Sequence, residues 1–543
     1  MRQTTLSVPL EVKPDSCAQL TRLIEAMRNA DQPAGYPDQY ARLLRETPAL
    51  HFMSLSIFPD AAFDPLFVLE ANFDGPPGVF WGQLEATLGP ELRDMLRCCK
   101  APLDEDGPLY AAVTAGGSRA PIAPYLEART ERPSVFHHGN RGLSRDRILA
   151  DGALFLAIRA ALAGPPVEPE TLGVSPYAGA TPQDVHDRLR QALVPGFPWL
   201  NDPAPPRIPL PERLIDIARL FWFAIAAIFC LSAPGLILSL AMPTTRYLVL
   251  IAALLVLIGL LIFRKRAPLP GTGVPSHFKL VGVLLRQAPL ILLLVAVYLV
   301  AATAASVVPA ALLTGLDARQ ALPETARWVL LGLVSVPLSL AVMLLWLRYL
   351  ERRDSAQDAP AIDETMLAGM VRREDWIAQN HMGSVVLLKP GVLRAILVHA
   401  GHLGLGLLLR VKATNGYLGS MRTVHFAHWA FVNNSSRLMF FSNFDHSWGS
   451  YLDDFIEKAH PGLTLAWGAG VGFPPTRFLV LDGASHGRQF KTWALASRAV
   501  SRFWYSAYRD FTVDQIERQA RIAEGLRKAR LNPKEAAAWL QDL

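Results

Sequence analysis

Cysteine is scarce in this sequence of 543 residues, and its positions exclude two kinds of stabilised site. The four cysteines are Cys17, Cys98, Cys99 and Cys230. Their spacing fits neither a disulfide framework nor the paired ligands of a zinc site, so we expect a reducing compartment and no metal centre. The first 30 residues lack the apolar core of a signal peptide. The net charge of +6 is modest, so no nucleic-acid partner is indicated.

Charged residues are missing altogether from four long stretches of the chain. These stretches are residues 220–245, 247–263, 288–316 and 328–347. A helix that crosses a bilayer needs about 20 apolar residues, with about 17 as the lower limit, so the sequence predicts four transmembrane helices. None of the four contains Asp, Glu, Lys, Arg or His, which favours an anchor over a transporter or channel.

The basic residues around these stretches predict on which side of the membrane the termini lie. They concentrate before the first stretch, between the second and third, and after the fourth: Arg207, Arg213, Arg219, Arg264, Lys265, Arg266, Lys279, Arg286, Arg348, Arg352 and Arg353. Short cytoplasmic loops are enriched in Lys and Arg. We therefore expect a multi-pass protein of the inner (cytoplasmic) membrane, with the lipid bilayer as a partner and both termini in the cytoplasm.

By composition the chain divides into six segments. They are a first soluble unit at 1–163, a proline-rich linker at 164–212, the membrane region at 213–350, a juxtamembrane segment at 351–382, a second soluble unit at 383–530 and a C-terminal tail at 531–543. One helix is predicted within the linker, at 182–193, with Thr181 as its cap and Pro182 at its first position. An amphipathic helix is predicted at 363–379, near the membrane surface.

The two soluble units repeat the same blocks in the same order. Four blocks match: Lys13-Pro14 with Lys389-Pro390, His51-Phe52 with His425-Phe426, Asn72-Phe73-Asp74 with Asn443-Phe444-Asp445, and a closing-helix start at Ser144 with one at Thr512. Repetition of several blocks in one order is the signature of an internal duplication.

Each copy is predicted to contain a strand, a helix, two strands joined by a turn, a second helix, a last strand and a closing helix. The first helices are expected at 16–29 and 392–409, and the second helices at 79–88 and 447–458. This β-α-β-β-α-β order is that of the ferredoxin-like split βαβ unit. The predicted fold is therefore α+β with a transmembrane helical insert, in which two ferredoxin-like units form an intrachain pseudo-dimer.

Two such units in one chain resemble the dimeric α+β barrel superfamily, in which two four-stranded sheets face each other. That superfamily includes chlorite dismutases, dye-decolorising peroxidases and small monooxygenases. The blocks around His425 and Asn443 also look like those of uncharacterised bacterial membrane proteins. The superfamily resemblance implies that heme, or a small hydrophobic molecule, is bound between the two units. Neither resemblance identifies an activity.

Ten residues are candidates for a ligand site. Both copies contain some of them, others make the second copy more aromatic, and His428 is a histidine of the second copy alone, where the first has Ser54. The ten are His51, Asn72, Asp74, His425, His428, Asn443, Asp445, Trp448, Tyr451 and Tyr505. A structural role is the alternative for the residues found in both copies. In particular, Asp74 and Asp445 precede the second helix of each copy, where an N-cap is expected. His425 and His428 are three apart on a predicted strand, so they should point to opposite faces and not share one metal ion.

Two further motifs are weaker than they look. Gly483 to Gly487 fits the G-x-S-x-G pattern, but no histidine follows His486, so Ser485 is predicted to lie in a plain turn. The glycines at 468, 470 and 472 are followed by Phe473-Pro474-Pro475 in place of a helix, which disfavours a dinucleotide site.

Three functions remain open at this point. The first is a non-catalytic membrane-bound sensor or scaffold that binds a small ligand or a protein partner. The second is a heme-dependent or cofactor-free oxidoreductase of the dimeric α+β barrel type. The third is a transporter, which the uncharged stretches disfavour. The sequence favours the first slightly, and it leaves open whether the protein is an enzyme.

Overall fold

The computed structural model describes most of the chain. The described residues are 3–29, 38–60, 63–163, 175–264, 280–315, 317–354, 364–374, 377–413, 421–499 and 501–543. Several residues that carry the sequence argument lie outside this part of the chain, namely Lys265, Arg266, Lys279 and the first eleven residues of the proline-rich linker, 164–174.

The chain is an α+β protein with eleven strands among the described residues. The strands are β1 (Gln3–Glu11), β2 (Leu50–Phe58), β3 (Leu66–Asp74), β4 (Val135–His138), β5 (Gln379–Leu387), β6 (Val424–Val432), β7 (Arg437–Asp445), β8 (Thr476–Arg477), β9 (Leu481–Asp482), β10 (Arg498–Ala499) and β11 (Phe503–Ser506).

The helices of the water-soluble part surround these strands. They are α1 (Cys17–Asn29), α2 (Asp38–Glu46), α3 (Pro77–Arg97), α4 (Gly107–Thr114), α5 (Ala123–Ala128), α6 (Arg145–Ala163), α7 (Pro182–Leu193), α13 (Glu364–Glu374), α14 (Val392–Lys412), α15 (Trp448–Trp467), α16 (Gly487–Ala496), α17 (Val513–Arg527) and α18 (Pro533–Leu540). Between α7 and α13 lie α8 (Leu210–Ala241), α9 (Thr244–Arg264), α10 (Leu280–Thr314), α11 (Ala318–Val334) and α12 (Val336–Glu351).

Two antiparallel sheets organise the water-soluble part. The first has the strand order β1-β3-β2-β11, and the second has the order β10-β5-β7-β6-β4. Their registers correspond, because Gln3 pairs with Asp74 in the first sheet and Gln379 pairs with Asp445 in the second. The sheets pack face to face through apolar side chains that include Phe58 and Phe441.

Each sheet receives its edge strand from the other half of the chain. Strand β4 lies in the first half but pairs with β6, and β11 lies in the second half but pairs with β2. The block order predicts each last strand within its own unit, and this expectation is wrong. Each last strand pairs with residues far away in the chain, and the chain crosses back after it. Gly139 donates to His425 of the second half, whereas Arg145 donates to Asp74 of the first.

Helix starts follow their side-chain signals, whereas two helix ends do not. Thr181 caps α7, and Thr512 forms a capping box with Gln515 at the start of α17, both as predicted. Helices α3 and α15 were expected to end before Pro90 and Pro461, but both continue beyond the proline with a kink at Leu88 and at Ala459, two residues before it. A kinked helix survives because flanking packing compensates for the lost hydrogen bond.

The C-terminal tail and the juxtamembrane helix both differ from their predicted structure. The C-terminal tail forms α18, which packs against α7, and the Trp539 indole donates to the Ile522 carbonyl on α17. The juxtamembrane helix is present as α13, Glu364–Glu374. Its predicted end at residue 379 is wrong, because Gln379 is the first residue of β5, whereas residues 363, 375 and 376 lie outside the described part of the chain.

The membrane region contains the four predicted hydrophobic helices, and the count of candidates rises to five. By length and composition, the described helices that could cross a membrane are Leu210–Ala241, Thr244–Leu261, Leu285–Leu312, Ala318–Glu351 and Val392–Lys412. The fourth of these is α11 and α12, joined at Ser335. The fifth is α14, which the sequence analysis assigned to the second soluble unit.

Ionic and polar contacts tie both ends of the membrane region to the water-soluble part. At the start of α8, Asp216 accepts from Arg141 at 2.8 Å and from Arg410 at 2.7 Å. At the end of α12, the buried carboxylate of Glu351 accepts from the backbone N–H groups of Phe478 at 3.0 Å and Leu479 at 2.9 Å. Phe478 and Leu479 have positive φ angles, which turns two successive N–H groups toward one anion.

The strand exchange can be tested at Gly139, where a Cβ atom would lie 2.1 Å from the Val424 carbonyl oxygen. We expect Gly139→Ala to lower the free energy of unfolding by about 1–3 kcal/mol or more, because backbone cannot move aside as a side chain can. Thermal unfolding of the detergent-purified protein measures the loss. Gly116→Ala is the control, since nothing lies within 4 Å of its added Cβ. Equal stability of the two variants would contradict the exchange.

Candidate functional site

The residues that both copies contain form one repeated arrangement around the start of each closing helix. In the first half, the Asp74 carboxylate accepts from the backbone N–H of Arg145, at the start of α6, and lies 3.1 Å from His51 Nε2. In the second half, Asp445 accepts from Val513 at the start of α17 and lies 2.7 Å from His425 Nε2. An acid at a helix N-terminus is stabilised by the helix dipole.

The aspartates therefore hold a different helix from the one expected. The sequence analysis assigned Asp74 and Asp445 to the N-terminus of the second helix in each copy, and this is wrong. Ser447 caps α15 instead, and Pro76 occupies the corresponding position before α3. The closing helix is remote in sequence, so the local pattern could not reveal it.

A β-bulge brings His425 and His428 to the same side of their sheet. The register of β6 against β7 shifts between Val424 and Phe426, so the alternation of side chains is broken at His425. The His425 ring lies 5.4 Å from the Phe52 ring, and His428 Nε2 lies 2.9 Å from Ser7 Oγ, so both reach the first sheet. The expectation of opposite faces is wrong, although the two histidines still have separate partners.

Between the sheets lies a buried polar cluster that the sequence analysis missed. Glu70 is fully buried, accepts from Ser54 at 3.1 Å and from Asn72, and lies 3.7 Å from His381 of the second sheet. His381 also contacts Ser501 at 2.7 Å. The available signal was an acid within an apolar strand, at the position where the other copy has Phe441.

Burial and charge have opposing effects on this cluster. Burial acts to raise the pKa of the Glu70 carboxyl, but the hydrogen bond and charge of His381, the charge of His428 and the Asn72 amide together hold that pKa below its usual value. Burial lowers the pKa of His428 to about 4 and that of His137 to about 3. At neutral pH the cluster therefore contains a carboxylate beside a neutral His428.

The remaining predicted residues divide between packing and a cavity. The Tyr451 hydroxyl donates to Ser442 at 2.8 Å, and its ring stacks on Phe444 at 4.1 Å, within the core that also contains Trp448. Asn443 accepts from the Trp504 indole at 2.8 Å. Of the ten candidates, Tyr505 lines the cavity described next.

A cavity of about 270 Å³ lies where the crossing segment between β11 and α17 faces α2 and α6. It is lined by Tyr40, Ala41, Leu44, Leu149 and residues 505–511. The Tyr505 side chain is buried, and its hydroxyl has no hydrogen-bond partner among the described residues. Burial raises the pKa of Tyr505 to about 12, so the phenol is neutral. The guanidinium of Arg509 stacks over the Tyr40 ring at 4.5 Å.

The wall of this cavity is connected to both halves of the chain. Tyr508 lines the cavity, and its hydroxyl is 2.8 Å from His51 Nδ1 of the first half. Ser506 donates to the Gln379 side chain, and the Gln379 amide donates to the Tyr508 carbonyl at 2.9 Å. Residues 505–511 are therefore hydrogen-bonded to β2 of the first sheet and to β5 of the second.

A second cavity, of about 570 Å³, lies at the edge of the first sheet along β1. It is lined by residues 3–6, residues 75–77, Arg132, Pro133, Phe136, His138 and Arg410. The His138 ring nitrogen is 3.0 Å from Thr5 Oγ1, and Arg410 is paired with Asp216. Unlike the Tyr505 hydroxyl, His138 and Arg410 of this wall have polar partners.

The histidines do not fit the axial ligation of heme that the superfamily resemblance implied. His425 presents Nε2 to Asp445, and His428 presents Nε2 to Ser7, both within a close-packed layer, and neither side chain lines the two cavities. Among the described residues, no group of three or more His, Cys, Asp or Glu side chains could hold a metal ion. Ser485, the serine of the G-x-S-x-G pattern, is buried in a single 3₁₀ turn.

No protein-family model, curated protein or solved structure matches the chain. The candidate site therefore rests on its own geometry.

The Glu70 cluster predicts a measurable contribution to stability. We expect Glu70→Gln to lower the free energy of unfolding by about 1–3 kcal/mol, because the neutral amide loses the charge-assisted hydrogen bonds that the carboxylate accepts from Ser54 and Asn72. Chemical denaturation of the detergent-purified protein measures the change. Glu91→Gln is the control, because Glu91 pairs with Arg42 at the half-exposed surface, where such pairs contribute about 0–1 kcal/mol. Indistinguishable losses would mean that Glu70 is not a buried partner of the second sheet.

The lowered pKa of His428 predicts loss of stability in mild acid. The unfolded chain binds a proton at His428 near pH 6.5, whereas the folded chain does so only near pH 4, so stability falls as the pH decreases through this window. The contribution is about 1.4 kcal/mol per pH unit. We expect His428→Asn to flatten the pH dependence of unfolding between those values by about this slope. His446→Asn, at an exposed position with positive φ, should leave the slope unchanged.

Proposed function

We propose that this protein is a membrane-anchored binding protein, a non-catalytic sensor or scaffold, that holds a small apolar ligand in the cavity beside Tyr505. The observation that carries the proposal is a buried phenol hydroxyl without a described partner, at the wall of a cavity of about 270 Å³. A buried polar group without a hydrogen bond costs about 1–3 kcal/mol, which a ligand with one polar group would offset.

The size and lining of the cavity define the ligand further. An apolar cavity of about 150 Å³ is large enough for benzene, so this one accommodates a molecule of roughly two fused rings. Leu44, Leu149 and Phe511 provide apolar walls. Tyr505, Arg509 and Asp510 add polar groups to the lining. Binding is favoured over catalysis because Tyr508 is engaged with His51 and the His425–Asp445 pair is buried behind the wall.

The proposal includes a pseudo-dimer of two ferredoxin-like units derived from an internal duplication. Three correspondences support it: the equal registers of β1 with β3 and of β5 with β7, the bulges at His51 and His425, and the aspartate that holds each closing helix. Each unit then uses the last strand of the other. The element order and these shared positions are what a duplicated chain would retain.

We further propose that the protein lies in the cytoplasmic membrane of a bacterium, with both termini in the cytoplasm. Arginines concentrate at the N-terminal end of α8 and at the C-terminal end of α12, which supports this orientation. So does the attachment of both ends of the membrane region to one water-soluble body, through Asp216 and through Glu351. The bacterial source rests on the resemblance of the sequence blocks around His425 and Asn443.

Indole is a suitable probe for the cavity, since it is an apolar bicyclic molecule with one N–H donor. We expect indole to raise the unfolding temperature of the detergent-purified protein, because a ligand of the folded state stabilises it by mass action. Tyr505→Phe should weaken the binding of indole about 2- to 10-fold, the equivalent of one neutral hydrogen bond. Ala41→Trp should abolish binding by filling the cavity.

The matched control is Tyr125→Phe, which removes another buried hydroxyl without a described partner, away from this cavity. It should leave indole binding unchanged. Mass spectrometry of small molecules extracted from purified wild-type protein and from Ala41→Trp would identify a natural ligand. Equal indole affinity in wild type and Ala41→Trp would overturn the proposed site.

A further inference from the structure

Helix α14 combines two properties that conflict in a water-soluble domain. It has the length and composition of a membrane span, with 21 residues, of which an 18-residue stretch has a mean hydropathy of 1.7. It also exposes large apolar side chains along one side: Val392 is 78% exposed, Ile396 59% and Leu403 53%. Exposed apolar side chains grouped on one face of a helix mark a site of contact with a protein or a membrane. The same face has one polar side chain, His399, which contacts Ser435 of the β6–β7 turn.

The sheet topology excludes a transmembrane path for α14. Strand β5 precedes the helix and β6 follows it, and both pair with β7 in one sheet. If α14 crossed the bilayer, β5 and β6 would lie on opposite sides of it. The helix is therefore the crossover between two strands of a water-soluble sheet.

The inner face of α14 packs on that sheet and its neighbouring helix. Its buried residues Arg394, Val398, His402 and Gly406 recur every fourth position. The His402 ring donates to the Ala466 carbonyl of α15 at 2.9 Å, and its other ring nitrogen is 2.8 Å from Ser134 Oγ, beside β4. Val392, Ile396 and Leu403 lie on a different face of the helix, which the sheet does not cover.

The two ends of α14 lie beside the two ends of the membrane region. At its N-terminal end, Arg394 and Lys389 pair with Asp354, three residues after α12, and Val398 packs with Leu347 of α12. At its C-terminal end, Arg410 pairs with Asp216 near the start of α8. The helix thus joins the point where the chain first meets the membrane to the point where it last leaves it.

Exposed aromatic side chains lie near the arginine-flanked ends of both membrane helices. Trp222 of α8 and Trp346 and Tyr349 of α12 are exposed, and each is within a few residues of the arginines that flank the uncharged stretches. Tryptophan and tyrosine concentrate where a membrane protein meets the headgroups. A Cβ added to Gly404 of α14 would lie 2.9 Å from the ring of Phe223, next to Trp222, so α14 runs at this level.

We propose that α14 lies in the plane of the membrane, and that the stripe of Val392, Ile396 and Leu403 enters the interfacial layer of the leaflet from which α8 starts. The partner of this surface is lipid. Continuity with the membrane helices selects lipid, because the stripe joins the headgroup level of α8 to that of α12. The helix has about the length of a bilayer, but it connects two points on the same side, as an interfacial helix does.

The depth of Leu403 in a bilayer tests this inference. Cys17→Ser and Cys230→Ala remove the accessible thiols, while Cys98 and Cys99 are retained, since burial raises the pKa of both thiols and slows their labelling. Leu403→Cys is then labelled with an uncharged fluorophore, and the protein is reconstituted into phosphatidylcholine vesicles. Quenching is compared between lipids with a nitroxide near the headgroup and lipids with one near the end of the acyl chain.

Two further single-cysteine variants calibrate the result. Val300→Cys lies in the middle of the span in α10, and Leu103→Cys is fully exposed in the first half. We expect the shallow nitroxide to quench Leu403→Cys at least twofold more than the deep one, the reverse for Val300→Cys, and neither to quench Leu103→Cys.

Deep quenching at Leu403, or none, would overturn the interfacial position of α14. If Val300→Cys were also unquenched, the membrane assignment itself would fail, which separates the two claims.

Discussion

The reciprocal exchange of β4 and β11 constrains every other part of the fold. Each sheet is complete only with a strand from the other half. The two halves therefore form one body, although residues 210–351, whose described part contains five helices, separate them in the chain. A linked pair of units needs no partner chain, because the insert makes their association intramolecular and raises the effective concentration of each for the other.

This constraint also determines how the membrane region can be arranged. The first membrane helix begins and the last one ends on the same body, so the chain between them must cross the bilayer an even number of times. Four spans satisfy this condition, formed by α8, α9, α10 and the joined pair α11 and α12. A fifth span at α14 would not, which is consistent with its place between two strands of one sheet.

The sequence alone predicted most elements because their signals are local. The uncharged stretches located the membrane helices, and Thr512 with Gln515 located the start of α17. The strand exchange, the destination of Asp74 and the bulge at His425 were missed, since each depends on contacts between residues far apart in the chain. Glu70 and His381 were missed for a related reason: they are 311 residues apart, and each half contains only one of them.

The sequence predicted only part of the candidate site. Residues found at corresponding positions of both halves, such as His51 and Asp74, contact each other and the start of the closing helix. Their role is therefore structural rather than contact with a ligand. Tyr505 was found because the second copy is aromatic there. Helix α2 lines the cavity beside Tyr505, and α2 lies outside the blocks that the two halves share. The positions that the two halves share thus identify what both need in common, and the sites specific to one half must be found from where the halves differ.

The two crossing segments show how one framework has acquired two roles. Gly139 donates to His425 and Ala507 donates to His51, so Arg141 and Arg509 occupy corresponding positions, two residues further on. Arg141 binds Glu212 and Asp216 at the start of the first membrane helix. Arg509 lines the cavity beside Tyr505 and stacks on Tyr40. The corresponding arginines therefore contact the membrane region in one half and the cavity beside Tyr505 in the other. Each segment begins after a strand of the opposite sheet and leads into a helix held by an aspartate of its own half, so the two segments connect the two sheets at corresponding positions.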